Sequence, residues 1–105
     1  MTKTIRSQVA LAVVVSLAGA VGFAQSAGEA TYKTKCQMCH GATGTPSAGM
    51  AKAMGIKPAS DPEIKKLTAA QEFEAVKSGK GKMKPVTGLT DAQIKDAVAF
   101  YRELK

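Results

Sequence analysis

The run Cys36-Gln37-Met38-Cys39-His40 constrains this chain of 105 residues more than any other feature, because it holds both cysteines and the single histidine of the sequence. Two cysteines cannot build a disulfide-dense scaffold, and two cysteines with one histidine cannot close a four-ligand zinc site within one chain. The sequence therefore excludes both of these ways of stabilising a small domain.

The spacing within this run fits the attachment of haem c. Thiols at Cys36 and Cys39 can each form a thioether with one vinyl group of a haem, and the adjacent His40 then lies beneath the iron as its proximal ligand. Three alternatives use the same residues: a redox dithiol, which expects a strand–helix–strand context that is not visible, a simple disulfide, and a soft-metal site with Met38 and His40. The sequence predicts one covalent haem c at this run.

A secretory signal peptide is predicted at the amino end. Lys3 and Arg6 precede an apolar stretch at residues 9–21, and small residues follow it. The stretch is shorter than the roughly 20 residues that a membrane-spanning helix needs, so a retained anchor is the weaker alternative. The predicted organisation is a cleaved signal peptide at residues 1–24 and a periplasmic domain at residues 25–105.

The predicted domain is short and poor in large apolar side chains. Its aromatic residues are Tyr32, Phe73, Phe100 and Tyr101, and alanine and glycine are abundant. A chain of this size rarely builds an adequate core from its own side chains, and it usually needs a cofactor, a metal or disulfides. A large planar haem would supply the missing apolar volume.

The hydrophobic pattern predicts an all-α domain with three main helices and long loops, since apolar residues follow helical spacing and no segment alternates with a period of two. The first helix is expected at residues 27–35. Capping boxes at residues 68–71 and 90–93 begin the other two helices. The earlier of these ends at Ser78-Gly79, and the later one continues to the carboxyl terminus.

The segment between the attachment run and the second main helix is expected to be mostly loop. Residues 41–58 are rich in Gly, Ala, Ser, Thr and Pro, with a helical turn predicted around residues 50–54. A further short turn is expected to begin at Asp61-Pro62-Glu63.

The chain resembles the class I c-type cytochromes, of the small bacterial kind with a single haem. Besides the attachment run, the positions that match this family are Gly28, Tyr32, the loop at residues 79–83, Phe100 and Tyr101. The resemblance implies the cytochrome c fold wrapped around one covalently bound haem, in which the first and last helices cross at Gly28 with Tyr32 and Phe100 packed beside the crossing. Where the family usually has Met-Pro, this chain has Met83-Lys84-Pro85.

The sixth ligand of the iron is expected to be a methionine. Met38 lies between the two tethers on the histidine side, which makes it a poor candidate. Met50 and Met54 are four residues apart among alanines, a spacing more typical of a buried stripe. Met83 has no apolar neighbours at helical spacing and is predicted to be the distal iron ligand, with Met50 and Met54 as the alternative.

The resemblance also implies an acceptor for the second ring nitrogen of His40. In the family, the carbonyl of a proline shortly after the attachment run accepts this N–H, which orients the imidazole. Pro46 is the best match and Pro58 is the competitor, and either proline could instead only shape a loop.

Ligation by His40 and Met83 predicts a one-electron carrier and no enzyme. A thioether ligand raises the reduction potential, and two filled axial positions leave no site for a small-molecule substrate. One alternative is a haem enzyme or gas-binding protein with a displaceable sixth ligand. The other is a thiol or soft-metal protein without haem.

Basic residues outnumber acidic ones by 15 to 8, which gives a net charge of +7. Lysines near the attachment run and the Met83 loop should meet at the haem edge: Lys33, Lys35, Lys77, Lys80, Lys82 and Lys84. Such a rim predicts transient docking to acidic patches of redox proteins such as reductases or oxidases, with contact to a membrane only through these partners. Nucleic acid is not an expected partner, because no recognition motif is present.

Overall fold

Helices account for the regular structure of the described residues. The computed structural model describes residues 27–104, so the predicted signal peptide lies outside this range. The helices are α1 (residues 27–35), α2 (Gln37–His40), α3 (Ala48–Met54), α4 (Pro62–Lys65), α5 (Ala69–Ser78) and α6 (Asp91–Glu103). Within residues 27–104, no helix has both the length and the hydrophobicity that a bilayer span requires. The predicted all-α class is confirmed.

Both predicted capping boxes are present. The Thr68 hydroxyl accepts a hydrogen bond from the Gln71 backbone N–H at 3.1 Å, and the Gln71 side chain accepts one from the Thr68 N–H at 2.8 Å. Thr90 and Gln93 repeat this pair at 3.1 and 2.9 Å. Each box satisfies two backbone N–H groups that have no partner inside the helix, which fixes where α5 and α6 begin.

The two short helices, α3 and α4, also begin at side-chain caps. The Ser47 hydroxyl accepts from the Met50 N–H, and the Asp61 carboxylate accepts from the Glu63 N–H with Pro62 at the first helical position. Because Ser47 caps it, α3 begins two residues earlier than the turn predicted around residues 50–54.

Helices α1 and α6 cross at Gly28, as the resemblance to class I c-type cytochromes implied. A Cβ atom at this position would collide with the carbonyl oxygen of Asp96 and lie 3.2 Å from Cβ of Phe100. The Tyr32 and Phe100 rings pack beside the crossing with their centroids 5.3 Å apart. Only a residue without a side chain permits this approach of the two backbones.

The core of the described residues is built around α6. Its buried apolar side chains are Tyr32, Ala59, Ile94, Ala97 and Val98, and three of the five belong to α6. Tyr32, at 1% exposure, is the most deeply buried large side chain. This core is small for a domain, which agrees with the predicted need for a large apolar cofactor.

Replacing Gly28 with alanine is expected to destabilise the purified protein by about 2 kcal/mol, because the added methyl group overpacks the α1–α6 crossing. Gly49 is a matched control on α3, where a Cβ atom would meet no atom within 4 Å. Gly49→Ala should change stability by less than about 1 kcal/mol. Urea unfolding measures both variants, and equal effects would contradict the tight crossing.

Candidate haem-binding site

The attachment run forms a single helical turn at the junction of α1 and α2. The Cys36 N–H donates to the Tyr32 carbonyl at 2.9 Å, so helical hydrogen bonding continues from α1 into the run. The N–H groups of Cys39 and His40 both donate to the Cys36 carbonyl, at 3.3 and 3.0 Å. Residues three and four apart share one face of a helical turn. The fold therefore brings both thiols and the imidazole to the same side of the backbone.

The two cysteines are half-buried and form no disulfide with each other. Burial raises the pKa of the Cys36 thiol, and the neighbouring Cys39 adds to this effect. Reactive dithiols usually have a lowered thiol pKa, so the environment of Cys36 disfavours the redox-dithiol alternative. Met38, between the two cysteines, is 88% exposed and turns away from the site.

His40 is half-buried, and its imidazole has an unsatisfied nitrogen. Burial lowers the pKa of the ring, which favours the neutral form that can ligate a metal. Its Nδ1 is buried and has no hydrogen-bond partner among residues 27–104. Buried polar atoms in folded proteins nearly always have a partner, so residues 27–104 leave one hydrogen-bonding position of His40 unfilled.

Pro46 lies next to the residue that follows His40. A Cβ atom at Gly41 would be 3.3 Å from the Pro46 nitrogen. The hydrogen bond predicted between His40 and the Pro46 carbonyl is absent from the described residues, since Nδ1 has no partner there. The competing residue, Pro58, already accepts a hydrogen bond from the Asp61 N–H at 2.9 Å.

Two tyrosine side chains contact His40 or the residue that follows it. The Tyr32 hydroxyl donates to the Gly41 carbonyl at 2.6 Å, which fixes the backbone directly after the imidazole. The Tyr101 ring meets the His40 ring edge-on with centroids 5.5 Å apart, and it stacks on Tyr32 at 6.1 Å. From the sequence, both tyrosines were expected only to pack, and the Tyr32 hydrogen bond was not predicted. The one available signal was that Tyr32 lies four residues before Cys36, on the helix face that leads to the attachment run.

Met83 lies half-buried in a tight turn. The Lys80 N–H donates to the Met83 carbonyl at 2.9 Å, and the Met83 N–H donates back to the Lys80 carbonyl at 3.0 Å. Gly81, with φ of +58°, permits the reversal between them. The turn tolerates the Lys84 insertion, because Pro85 folds back against Gly79, where a Cβ atom would be 2.8 Å from the proline ring.

The Met83 turn lies against the end of α3. Lys82 Nζ donates to the Ala53 carbonyl at 3.4 Å, so the turn lies close to the helix that carries Met50 and Met54, which are also half-buried. No hydrogen bond or ring contact within residues 27–104 joins Met83 to His40. The pairing of these two residues as axial ligands stays a prediction.

The predicted basic rim is exposed but partly neutralised. Lys33 pairs with Glu29 at 3.1 Å, and Lys77 pairs with Asp91 at 3.0 Å. Lys35 lies beside the segment after Met83, since a Cβ atom at Gly88 would be 4.0 Å from its ammonium group. The exposed lysines without a salt bridge to another described residue include Lys35, Lys80, Lys82 and Lys84.

The chain is similar in sequence to known proteins of one family. The protein family described as Cytochrome C oxidase, cbb3-type, subunit III matches residues 23–100. Cytochrome c-555 of Chlorobaculum thiosulfatiphilum is 39% identical over 83 residues, which are 71% of this chain and 90% of that protein. This chain belongs to the c-type cytochromes.

The fold of the cytochrome agrees with this assignment. The structure of KustC0563 c-type cytochrome superposes with a TM-score of 0.64 at 27% identity, covering 71% of this chain and 93% of that one. The predicted cytochrome c fold is therefore confirmed. As a member of this family, the cytochrome carries covalently bound haem c with its iron, and it transfers electrons between redox partners.

The residues of the attachment turn fit this cofactor. Two cysteines three residues apart on one helical turn match the two vinyl groups of a haem, and the adjacent half-buried imidazole is suited to ligate its iron. Only five apolar side chains are buried among the described residues, so a porphyrin would add apolar surface that the side chains do not supply. The donor set of this chain is thus suited to haem c.

Proposed function

We propose that this cytochrome is a periplasmic one-electron carrier with a single haem c held by Cys36, Cys39, His40 and Met83. The observation that carries the proposal is the single turn that brings Cys36, Cys39 and the half-buried imidazole of His40 to one side of the backbone. Cys36 and Cys39 would form the two thioethers, while His40 and Met83 would ligate the iron. When bound, the haem supplies a one-electron couple.

The choice of His40 and Met83 favours a carrier over an enzyme or a gas-binding protein. His40 offers a neutral imidazole, and Met83 offers a soft thioether that stabilises ferrous iron. A tight turn restrains Met83, so the ligand is held in place when the oxidation state changes. With both axial positions filled, no coordination site is left for a substrate.

Pro46 is proposed to orient His40 through its carbonyl. The support is its position beside Gly41 and the engagement of the Pro58 carbonyl by Asp61. A hydrogen bond to the second ring nitrogen would fix the imidazole and make it a better electron donor to iron.

Residues 1–24 are proposed to be a cleaved signal peptide, and residues 25–105 the mature domain. The charge and hydropathy pattern of this segment supports the proposal, and the family match begins at residue 23. Export of this kind would place the cytochrome in the periplasm.

The function is tested on the exported, haem-loaded protein. Its mass should equal a polypeptide that begins at Gln25 plus one haem. The ferrous protein should react slowly and incompletely with carbon monoxide, because Met83 must first leave the iron.

Two results would contradict this proposal. Rapid, complete carbon monoxide binding by the wild-type protein would indicate an open sixth position and favour the enzyme or gas-binding alternative. A colourless protein with two free thiols would indicate the thiol or soft-metal alternative.

The basic rim is proposed to dock acidic surfaces of redox partners such as reductases or oxidases. Two observations support it: Lys35 lies close to the segment after Met83, and Lys80 and Lys84 are exposed on the Met83 turn itself. A field of one sign at the electron-transfer edge raises the association rate more than the affinity, which suits a carrier that must also dissociate quickly.

Electron transfer to an acidic partner is expected to slow as ionic strength rises, because salt screens the charges of the rim. At low salt, Lys84→Ala should lower the second-order rate constant about twofold, which is a typical effect of one rim charge on steering. Lys95→Ala on α6 removes the same charge from an exposed position outside the rim and should have a smaller effect. Stopped-flow kinetics measures both. A rate that ignores salt, or equal effects of the two variants, would remove the docking proposal.

A further inference from the structure

Glu72 on α5 carries a buried carboxylate that the proposed function does not use. The residue is 8% exposed. One oxygen, Oε1, accepts a hydrogen bond from Arg102 Nη1 on α6 at 2.6 Å, and the same nitrogen donates to the Leu67 carbonyl at 2.8 Å. The other oxygen, Oε2, is buried and has no hydrogen-bond partner among residues 27–104. A half-satisfied carboxylate is costly to keep charged in this position.

A cavity lies beside this carboxylate. It has a volume of about 270 Å³ and is lined by Glu72 together with Ile64 and Lys65 of α4 and Tyr101 and Arg102 of α6. This volume is large enough for several water molecules, and Glu72 and Tyr101 supply polar partners for them. Protons can therefore reach Glu72 through water although the side chain is buried.

The charged and titratable groups that face Glu72 are Arg102, Tyr101 and Lys65. Burial raises the pKa of the Glu72 carboxyl, whereas the hydrogen bond and the charge of Arg102 act in the opposite direction, and the net shift is upward. Burial, with a smaller contribution from Glu72, raises the pKa of Tyr101 to about 12, so this phenol stays neutral. Lys65 is exposed to solvent at the cavity wall. Glu72 is thus the group beside this cavity whose proton affinity is raised by burial.

Tyr101 connects Glu72 to the histidine side of the site. Its ring meets the His40 ring edge-on at 5.5 Å, and its hydroxyl lies in the electrostatic field of Glu72. A change of one charge at the His40 position therefore changes the electrostatic energy of the Glu72 carboxylate, because charges inside a protein are screened less than charges in bulk water.

We propose that Glu72 is a redox-linked proton site of this cytochrome. The inference rests on the proposed function, because it needs the iron to be ligated by His40. When one electron enters from a redox partner, a larger fraction of the molecules has a protonated Glu72. In those molecules the carboxylate has taken a proton from the solvent and formed an O–H bond. When the electron leaves to the next partner, the O–H bond breaks and that proton returns to water.

Thermodynamic linkage fixes the sign of the effect. An added electron makes the surroundings of Glu72 more negative, so its proton affinity is higher in the reduced protein than in the oxidised protein. By reciprocity, a proton on Glu72 favours reduction. The reduction potential should therefore fall as pH rises through the two pKa values of Glu72, and it should be constant above and below them.

The experiment compares the haem-loaded wild type, Glu72→Gln and Glu74→Gln by spectroscopic redox titration from about pH 4 to about pH 9, a range that spans carboxyl titration. Glu74 is a matched control: it is two residues away on α5, exposed, and bonded to the Ser78 hydroxyl at 2.6 Å. The wild type and Glu74→Gln should show the fall in potential, while Glu72→Gln should be flat across the same window.

A direct measurement covers the case in which Glu72→Gln does not fold. Carbon NMR of the wild-type Glu72 carboxyl reads its pKa in each oxidation state. We expect a proton affinity about threefold higher in the reduced state, the order of the effect of one unit charge on another in a partly hydrated protein environment.

Equal Glu72 pKa values in the two oxidation states, or an unchanged pH dependence in Glu72→Gln, would overturn the proton site. Both results would leave the carrier function intact. Failure of that function has a different signature, since the protein would then lack covalent haem or show an open axial position.

Discussion

Replacing both Cys36 and Cys39 with alanine is expected to abolish covalent haem and, with it, the stable fold. The turn at the α1–α2 junction presents the two thiols on one side, and each alanine removes one thioether. The remaining core contains few large side chains, and two of its five buried apolar residues are alanines. Without the cofactor, this domain should be largely unfolded at room temperature.

The measurement is haem-linked peroxidase staining after denaturing electrophoresis, together with circular dichroism. The double variant should give no staining and a strongly reduced helical signal. Met38→Ala is the matched control, because Met38 lies between the two cysteines and is 88% exposed. It should retain full staining. A double variant that still stains would show that the haem is attached elsewhere.

The second large effect is expected from Met83→Ala. Loss of the thioether should remove the sulfur-to-iron charge-transfer band of the ferric protein, and it should allow rapid carbon monoxide binding to the ferrous protein. The reduction potential should fall by about 100 mV or more, a modest part of the roughly 0.8 V over which axial ligands set haem potentials.

Met50→Ala and Met54→Ala are the matched controls for this ligand. Both methionines lie on α3, against which the Met83 turn is held by the contact between Lys82 and Ala53. Each control variant should keep the charge-transfer band and the potential of the wild type. If Met54→Ala or Met50→Ala loses the band while Met83→Ala keeps it, the distal ligand belongs to α3.

Structural features that depend on residues close together in the sequence were predictable. The capping boxes at Thr68 and Thr90 and the turn that begins at Asp61 depend on side chains within three residues of the helix start. The crossing at Gly28 is a long-range feature, yet it followed from the family resemblance. The attachment turn was predictable because its chemistry needs two thiols and an imidazole at fixed spacing.

Features that depend on distant residues were not predictable. Glu72 is a charged residue in the first turn of α5, and its burial depends on packing against residues such as Arg102, which is 30 residues later in the chain. The contact of the Met83 turn with α3 joins residues 29 apart. No local pattern encodes such contacts, because they arise from how the helices pack.

The crossing of α1 and α6 affects the order in which parts of the polypeptide become buried as the protein folds. Tyr32 lies near the amino end, but the surface that buries it, Phe100 and Tyr101, is supplied by the last helix. A polypeptide that emerges amino end first thus presents Cys36 and Cys39 before anything can cover them. The two thiols are therefore accessible for haem attachment before the last helix packs over Tyr32.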